Sequence, residues 1–374
     1  MCSTFVPLGI KSFDNKFENK YISLSYTLSD NAQEVTLQIR DGEEEIYKKV
    51  ITSPSEVSKG QHFWSWDGFD KNGILDTARL TKAKKLNYKI SVKRKNHIYS
   101  ETQYFKISYS EVNWVDVKIN RPKKEIYVTL RVNLRDGGAE GLKGFRIQQT
   151  SSFGTYTNIE IDPPRDVPAA ILKKWGHPPI TSRTRSFENL RDLALKGIEK
   201  YWSRHSLNIG KNIKVNSETY QVFVEAIYDE KGMIAPKIIF FTNKKDSNLN
   251  RSRNWFLSRE LYYKVGYIQR DDNNWEYINE SEAIVDFQET AAHEIGHKLL
   301  EEYGDMWYSY KHKDTSTLVT QVPLENTPYP IIGEIDLMKY SSDMYRPSDY
   351  YDRVILSEKD LKGLLWFTKM KIEK

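Results

Sequence analysis

The stretch TAAHEIGHKLLEEYGD, residues 290–305, places two histidines one helical turn apart with a glutamate between them. In an α-helix of about 3.6 residues per turn, His293 and His297 project from one face, close enough for both imidazoles to bind one metal ion. Glu294 is rotated by about 100° from His293, so it can reach a water molecule on that ion without binding the metal itself. The stretch predicts a zinc-binding helix with an adjacent general base.

The residues around the two histidines are mostly apolar, which is typical of a buried helix with a polar face directed into a site. They are Ala291, Ala292, Ile295, Leu299 and Leu300. Gly296 in mid-helix costs about 1 kcal/mol relative to alanine. Close packing or the approach of a substrate would explain that cost.

A catalytic zinc site uses three protein ligands and leaves one position for water, so a third ligand is required. The chain has one cysteine, Cys2, which leaves His, Asp and Glu as candidates. The position that carries a third histidine in the metzincin pattern is occupied by Tyr303. The downstream candidates are Asp305, His312, Glu334 and Asp336.

Glu334 is the preferred third ligand because it lies in YPIIGEIDLMKY (329–340), an apolar segment in which we expect its carboxylate to be buried. A buried carboxylate is costly unless it is paired or bound to a metal. Asp336 could instead orient a ligand histidine through a hydrogen bond. His312 and Tyr340 are the candidate catalytic residues that would donate hydrogen bonds to the oxyanion.

The first third of the chain has a different pattern. Residues 22–107 form short runs of alternating apolar side chains separated by turn sequences such as RDGEE (40–44) and WDGFDKNG (66–73). This pattern predicts an all-β, Ig-like sandwich over residues 21–109, preceded by an N-terminal tail of residues 1–20.

Residues 110–374 are predicted to form a second, α+β domain with the element order of a zincin-like metallopeptidase. Its elements are a long strand at 126–134, a helix that begins after Ser186, strands at 219–228, 237–241 and 264–268, and a helix from about Glu282. The expected fold class is therefore two domains, an Ig-like sandwich followed by a zincin-like domain.

Composition excludes several classes of protein. Apolar residues make up 39% of the chain and charged residues 29%, which is a globular and not a disordered profile. The net charge of +5 is spread along the chain, so nucleic-acid binding gains little support. We find no apolar run long enough to span a bilayer and no signal peptide.

The string SKGQHFWSWDGFDKNGILDTARL (58–80) resembles the Ig-like repeat of the flagellar hook-capping protein and of many bacterial surface proteins. The matching residues are Gly60, His62, Trp66, Asp67, Gly68, Asp70 and Gly73. The resemblance implies an adaptor or spacer, in which His62 is a structural residue.

The strings at 291–321 and 333–340 resemble the zinc metallopeptidase domain of certain VgrG spike proteins and related type VI secretion effectors, a likeness that extends over 110–374. The resemblance implies that His293, His297 and Glu334 hold Zn²⁺ and that Glu294 is the base. The family usually has a glycine where Asp314 stands here.

These observations predict a zinc metallopeptidase that hydrolyses peptide bonds of a peptide or protein substrate. The resemblance implies an antibacterial toxin, made in the bacterial cytoplasm and exported by a specialised secretion system to the periplasm of a target cell. A secretion-spike carrier and a cognate immunity protein would be its partners. Two alternatives stay open: an amidase or endopeptidase acting on peptidoglycan peptides, and a non-catalytic Ig-like adaptor with a degenerate zincin domain.

Overall fold

The computed structural model describes residues 3–150, 156–271 and 274–373. The chain divides into two compact units. Unit 1 comprises Met1–Leu130, Arg204–Glu225 and Ser357–Lys374, and unit 2 comprises Arg131–Ser203 and Ala226–Leu356. The boundary predicted at residue 109 therefore does not coincide with the boundary of a compact unit, because unit 1 includes two segments from much later in the chain.

The elements before residue 110 are mainly strands. They are β1 (Ser3–Phe5), β2 (Ile22–Leu28), β3 (Glu34–Asp41), β4 (Glu44–Ile51), β5 (Gly60–Trp66), β6 (Ile74–Asp76), helix α1 (Thr77–Lys82), β7 (Leu86–Arg94), β8 (His97–Tyr104) and β9 (Lys106–Tyr109). One sheet has the antiparallel order β4-β3-β7-β8, and β2 pairs with β5 in another. The β-rich N-terminal domain predicted from alternating apolar residues is confirmed.

The remaining elements mix strands with helices. The strands are β10 (Val115–Asn120), β11 (Glu125–Glu140), β12 (Phe145–Thr150), β13 (Tyr156–Ile161), β14 (Ile213–Val215), β15 (Glu218–Tyr228), β16 (Met233–Phe241), β17 (Lys244–Lys245), β18 (Arg253–Trp255), β19 (Ser258–Lys264), β20 (Gly266–Asp271), β21 (Asn274–Ile278), β22 (Ile335–Asp336), β23 (Val354–Ile355) and β24 (Met370–Glu373). The helices are α2 (Pro163–Asp166), α3 (Ala169–Trp175), α4 (Phe187–Trp202), α5 (Glu280–Tyr303), α6 (Met306–Tyr310), α7 (Tyr350–Arg353) and α8 (Glu358–Trp366).

Unit 1 is closed by strands from opposite ends of the described chain. β24 pairs antiparallel with both β1 and β9, which gives a three-stranded sheet of order β1-β24-β9. Phe5, the last residue of β1, and Val6 lie in the segment predicted as an N-terminal tail, and both are completely buried. Residues 3–6 thus belong to the folded unit.

The WDGFDKNG turn of unit 1 is held by its own side chains. Trp66 Nε1 donates to the carbonyl oxygen of Phe69 at 2.8 Å, and Asp70 Oδ1 accepts from the backbone N–H of Ile74 at 2.9 Å. Nearby, His62 Nε2 donates to the carbonyl oxygen of Ser58 at 2.8 Å, and the His62 ring stacks on a tyrosine ring. These contacts agree with a structural role for His62.

Unit 2 contains a sheet in which β11 (through residues 132–140), β16 and β19 run parallel and β18 forms an antiparallel edge beside β19. Helices α4 and α5 pack against each other, and α5 also contacts the strands β16, β18 and β19. The N-cap predicted for the first of these helices is confirmed, because Ser186 Oγ accepts from the backbone N–H of Asn189.

Two glycines allow helix α5 to approach its neighbours closely. On α4, a Cβ at Gly197 would overlap the backbone of Gln288 in α5, and Trp202 Nε1 donates to the carbonyl oxygen of Ala292 at 3.2 Å. On α5 itself, a Cβ at Gly296 would lie 2.5 Å from Met338 Sδ. Close packing therefore accounts for the mid-helix glycine.

None of the helices in the described part of the chain combines the length and the apolar character needed to cross a bilayer.

Candidate metal centre

Three buried imidazoles converge in unit 2. His293 and His297 lie on α5, and His312 lies in the turn after α6. One ring nitrogen of each lies within 4.8 Å of those of the other two. The three ring centroids are separated by 4.8 to 5.3 Å.

Hydrogen bonds at the Nδ1 atoms fix which nitrogen faces the centre. His293 Nδ1 lies 2.7 Å from the carbonyl oxygen of Leu337, which can only accept, so Nδ1 carries the proton. Ser309 Oγ donates to the carbonyl oxygen of His297 and therefore accepts from His297 Nδ1 at 3.1 Å. In the neutral ring, Nε2 then keeps its lone pair, as a metal ligand must.

The centre contains polar atoms without a partner. His293 Nε2 and His312 Nε2 are buried and form no hydrogen bond. Burial lowers the pKa of His293 to about 4, and it also lowers the pKa values of His297 and His312. Neutral imidazoles with unused lone pairs are costly to bury, and a metal ion would satisfy them, so the residues present fit a bound zinc.

The turn that carries His312 has an unusual backbone. His312, Lys313 and Asp314 have φ values of 48°, 59° and 61°, all in the left-handed region. Helix α6 leads into this turn with Asp305 as its N-cap, and the Lys313 ammonium forms an ion pair with Asp336. A glycine at position 314 would adopt this conformation without strain.

We predict that Asp314→Gly raises the free energy of unfolding of unit 2 by about 0.5 kcal/mol, because glycine accepts positive φ at little steric cost. The side chain that is lost is exposed, and its contact with Lys311 at 3.9 Å contributes little. Urea unfolding followed by tryptophan fluorescence would measure the change. Asp314→Ala is the control and should lower the same free energy; the opposite order for the two variants would contradict the assignment.

Glu294 directly follows the candidate ligand His293 on α5. Its side chain is buried, and burial raises its pKa to about 8, an effect that the nearby Arg251 partly opposes. Asn254 on β18 donates to the Glu294 carbonyl oxygen at 2.9 Å and so ties the helix to the edge strand at this point. A carboxyl group with a pKa near neutrality can both accept and release a proton.

Tyr340 covers one side of the centre. Its ring stacks on His312 with the centroids 3.6 Å apart, and lies 5.8 Å from the His293 ring. Arg251 Nη2 donates to Tyr340 Oη, which leaves the phenolic proton free to be donated elsewhere. Burial raises the pKa of Tyr340 to about 12, so the hydroxyl group stays protonated.

The expectation that Glu334 is buried is wrong. Its side chain is exposed. The preceding Ile331 and Ile332 are also exposed, at 94% and 84%, and Gly333 turns the chain with a φ of 81°. Among the described residues, the group able to hold a metal contains His312 and no carboxylate.

The two other carboxylates considered as ligands have structural contacts. Asp305 Oδ1 accepts from the backbone N–H of Tyr308. Asp336 accepts from the backbone N–H of Met338 and pairs with Lys313, so it holds the turn from which Leu337 reaches His293. His312, predicted as an oxyanion donor, instead lies with His293 and His297 in the group that could hold a metal.

Four groups at the centre are not predicted from the sequence. They are Arg251, Ser309, Ser316 and the carbonyl group of Leu337. Only Ser316 carried a local signal, since it follows His312 by one turn of chain; the other three are brought in from separate segments.

We predict that Ser316→Ala weakens zinc binding 10- to 100-fold, the usual effect of removing the partner that orients a ligand histidine. Ser316 Oγ lies 2.9 Å from His312 Nδ1, and both residues are buried. Competition with a fluorescent zinc chelator would measure the affinity. Ser281→Ala, at the exposed start of α5, should leave the affinity unchanged; equal affinities for all three proteins would contradict the role of Ser316.

Comparison with known proteins identifies the N-terminal part. The FlgD Ig-like domain family matches residues 12–96. No curated protein matches the chain.

Two solved structures have only distant similarity. FlgD from P. aeruginosa is 14% identical, with 29% of this chain and 76% of that chain covered and a TM-score of 0.19. A β-glucuronidase from Parabacteroides merdae is 7% identical, with 82% and 32% covered and a TM-score of 0.17. Both scores are too low to support an argument about the fold, so the family match carries the assignment. Residues 12–96 are an Ig-like domain similar to that of FlgD.

Proposed function

We propose that this chain is a zinc-dependent hydrolase that cleaves peptide bonds, with His293, His297 and His312 as the ligands and Glu294 as the general base. The observation that carries the proposal is the convergence of three buried, neutral imidazoles beside a buried carboxyl group. Three imidazoles that leave one position open are typical of catalytic zinc, whereas magnesium and calcium prefer oxygen ligands.

Zinc at this position would polarise the substrate carbonyl group and lower the pKa of water. Glu294 would accept a proton from the attacking water and return it to the leaving amine. Tyr340 would donate its phenolic hydrogen to the oxyanion, because Arg251 already donates to Tyr340 Oη and orients that hydroxyl group.

We further propose that the hydrolase is an antibacterial effector of the type VI secretion type, with the Ig-like domain as the adaptor to its carrier. The match of residues 12–96 to the FlgD Ig-like family supports an adaptor. The resemblance of residues 291–321 to the peptidase domain of VgrG spike proteins supports the effector assignment.

Removing the metal should abolish hydrolysis. We expect the purified protein to contain roughly one zinc ion per chain. Dialysis against a chelator should lower the cleavage of unfolded casein at least 100-fold, and added zinc should restore it. Mass spectrometry of new amino termini would measure cleavage, with purified peptidoglycan as a parallel substrate, and circular dichroism would verify that the metal-free protein stays folded. The proposal would be refuted if the purified protein contained no zinc and, after zinc was added, cleaved neither casein nor peptidoglycan.

A further inference from the structure

Arg251 is a cation beside the candidate metal centre. Its guanidinium carbon lies 5.3 Å from the centroid of the Tyr340 ring, which in turn stacks on His312. In the described part of the chain no carboxylate forms an ion pair with Arg251, whereas Arg253 pairs with Glu260 at 2.6 Å. The Arg251 side chain is exposed and so accessible from solvent.

The three histidine ligands increase the importance of the positive charge of Arg251 for substrate binding. Three neutral imidazoles contribute no negative charge, in contrast to a set of two histidines and a carboxylate. A divalent ion bound by His293, His297 and His312 would keep its full charge, and Arg251 would add another positive charge close by. Glu294, as the general base, would offset one of these positive charges and still leave the centre positive. Such a centre favours an anionic substrate.

The geometry of the guanidinium group is suited to a carboxylate. Of its five N–H donors, the described contacts use one, for Tyr340. Arginine binds carboxylates through two parallel hydrogen bonds, and these are among the stronger hydrogen bonds in proteins. The guanidinium carbon lies 5.3 Å from the Tyr340 centroid, which lies 3.6 Å from that of His312, so Arg251 is within reach of a carboxylate that is one or two extended residues of about 3.3–3.6 Å from the centre.

We propose that Arg251 binds a carboxylate of the substrate, so that the enzyme acts on peptides with a carboxylate one or two residues from the scissile bond. This carboxylate is either the C-terminal carboxyl group or the side chain of Asp or Glu. The proposal rests on the proposed function, because it assigns the substrate class of the same centre.

The experiment uses the full-length, zinc-loaded protein and three hexapeptide libraries. The first lacks Asp and Glu and has free carboxyl termini, the second is the same library with C-terminal amides, and the third is amidated with one Glu per peptide. Mass spectrometry gives cleavage rates and positions. We expect the wild-type protein to cleave the first or the third library at least 10-fold faster than the second, near the carboxylate. Which of the two is preferred identifies the source of the carboxylate.

Variants separate carboxylate binding from the positioning of Tyr340. Arg251→Gln should remove the preference, whereas Lys339→Gln, which removes an exposed charge next to Tyr340, should retain it. In the background of Glu294→Gln, fluorescence anisotropy should show that the carboxylate strengthens peptide binding about 10-fold only when Arg251 is present.

Three results would overturn the inference. These are equal cleavage of all libraries by the wild-type protein, an Arg251→Gln variant that slows every library equally, and a Lys339→Gln variant that also loses the preference. In each of these cases hydrolysis itself persists, so the proposed function stands. Absence of cleavage by the zinc-loaded wild-type protein would instead refute the proposed function.

Discussion

Replacing His312 by alanine should remove zinc from the protein, whereas replacing Glu334 by glutamine should leave it bound. His312 supplies one of three convergent ring nitrogens, and Glu334 is exposed on a separate loop. Loss of a residue that merely orients a ligand costs 10- to 100-fold in affinity, so we expect loss of the ligand itself to cost at least 100-fold. Metal analysis by mass spectrometry after gel filtration should find roughly one zinc per chain in Glu334→Gln and less than about a tenth in His312→Ala.

A histidine outside the centre provides the matched control. His205 belongs to unit 1, where its ring stacks on Phe223. His205→Ala should keep its zinc, which would show that removing a histidine is not in itself sufficient. If Glu334→Gln lost the metal and His312→Ala kept it, the ligand set of the VgrG-type family would hold here and the three-histidine centre would be wrong.

Replacing Glu294 by glutamine should lower kcat by about 10²- to 10⁴-fold, the usual contribution of general acid–base catalysis. Glutamine has the same shape but cannot accept the proton of the attacking water. The side chain is buried and directly follows the candidate ligand His293 on α5. Steady-state cleavage of a fluorogenic peptide, chosen from the products found with casein, would measure the change.

The Glu294→Gln protein should still contain roughly one zinc per chain, because Glu294 is not among the ligands. Glu302→Gln, an exposed position on the same helix, is the control and should keep full activity. If Glu294→Gln and the wild-type protein had equal kcat values, Glu294 would not be the base. If the variant lost its zinc as well, the effect on kcat could not be assigned to proton transfer.

The part of the candidate site that could be predicted from sequence is the part that one helix determines. The spacing of His293, Glu294 and His297 follows from helix geometry alone, and the apolar residues between them indicate burial. His312 is placed at the centre by helix α6 and by a turn in which it is the first of three successive left-handed residues, an arrangement that no local pattern specifies. The sequence therefore shows His312 as a candidate but does not select it.

The error at Glu334 has an equally specific cause. The neighbouring Ile331 and Ile332 make the segment apolar and so indicate burial, but apolar residues contribute much of the surface of any folded protein. In the Ig-like domain the local signals were sufficient, because the glycines and aspartates of WDGFDKNG form the turn with their own backbone and side chains. The inclusion of 204–225 and 357–374 in unit 1 depends on strand pairing over long sequence separations, which periodicity does not reveal.

The sheet of β1, β24 and β9 has a consequence for the order of events during synthesis. Its central strand consists of residues 370–373, whereas its neighbours β1 and β9 end at residues 5 and 109 and are translated well before it. Domains generally fold as units in the order in which they are translated, but this sheet cannot form until residue 373 has been translated. The nascent protein therefore carries two unpaired strand edges until residues 370–373 leave the ribosome, and such edges can pair with other chains.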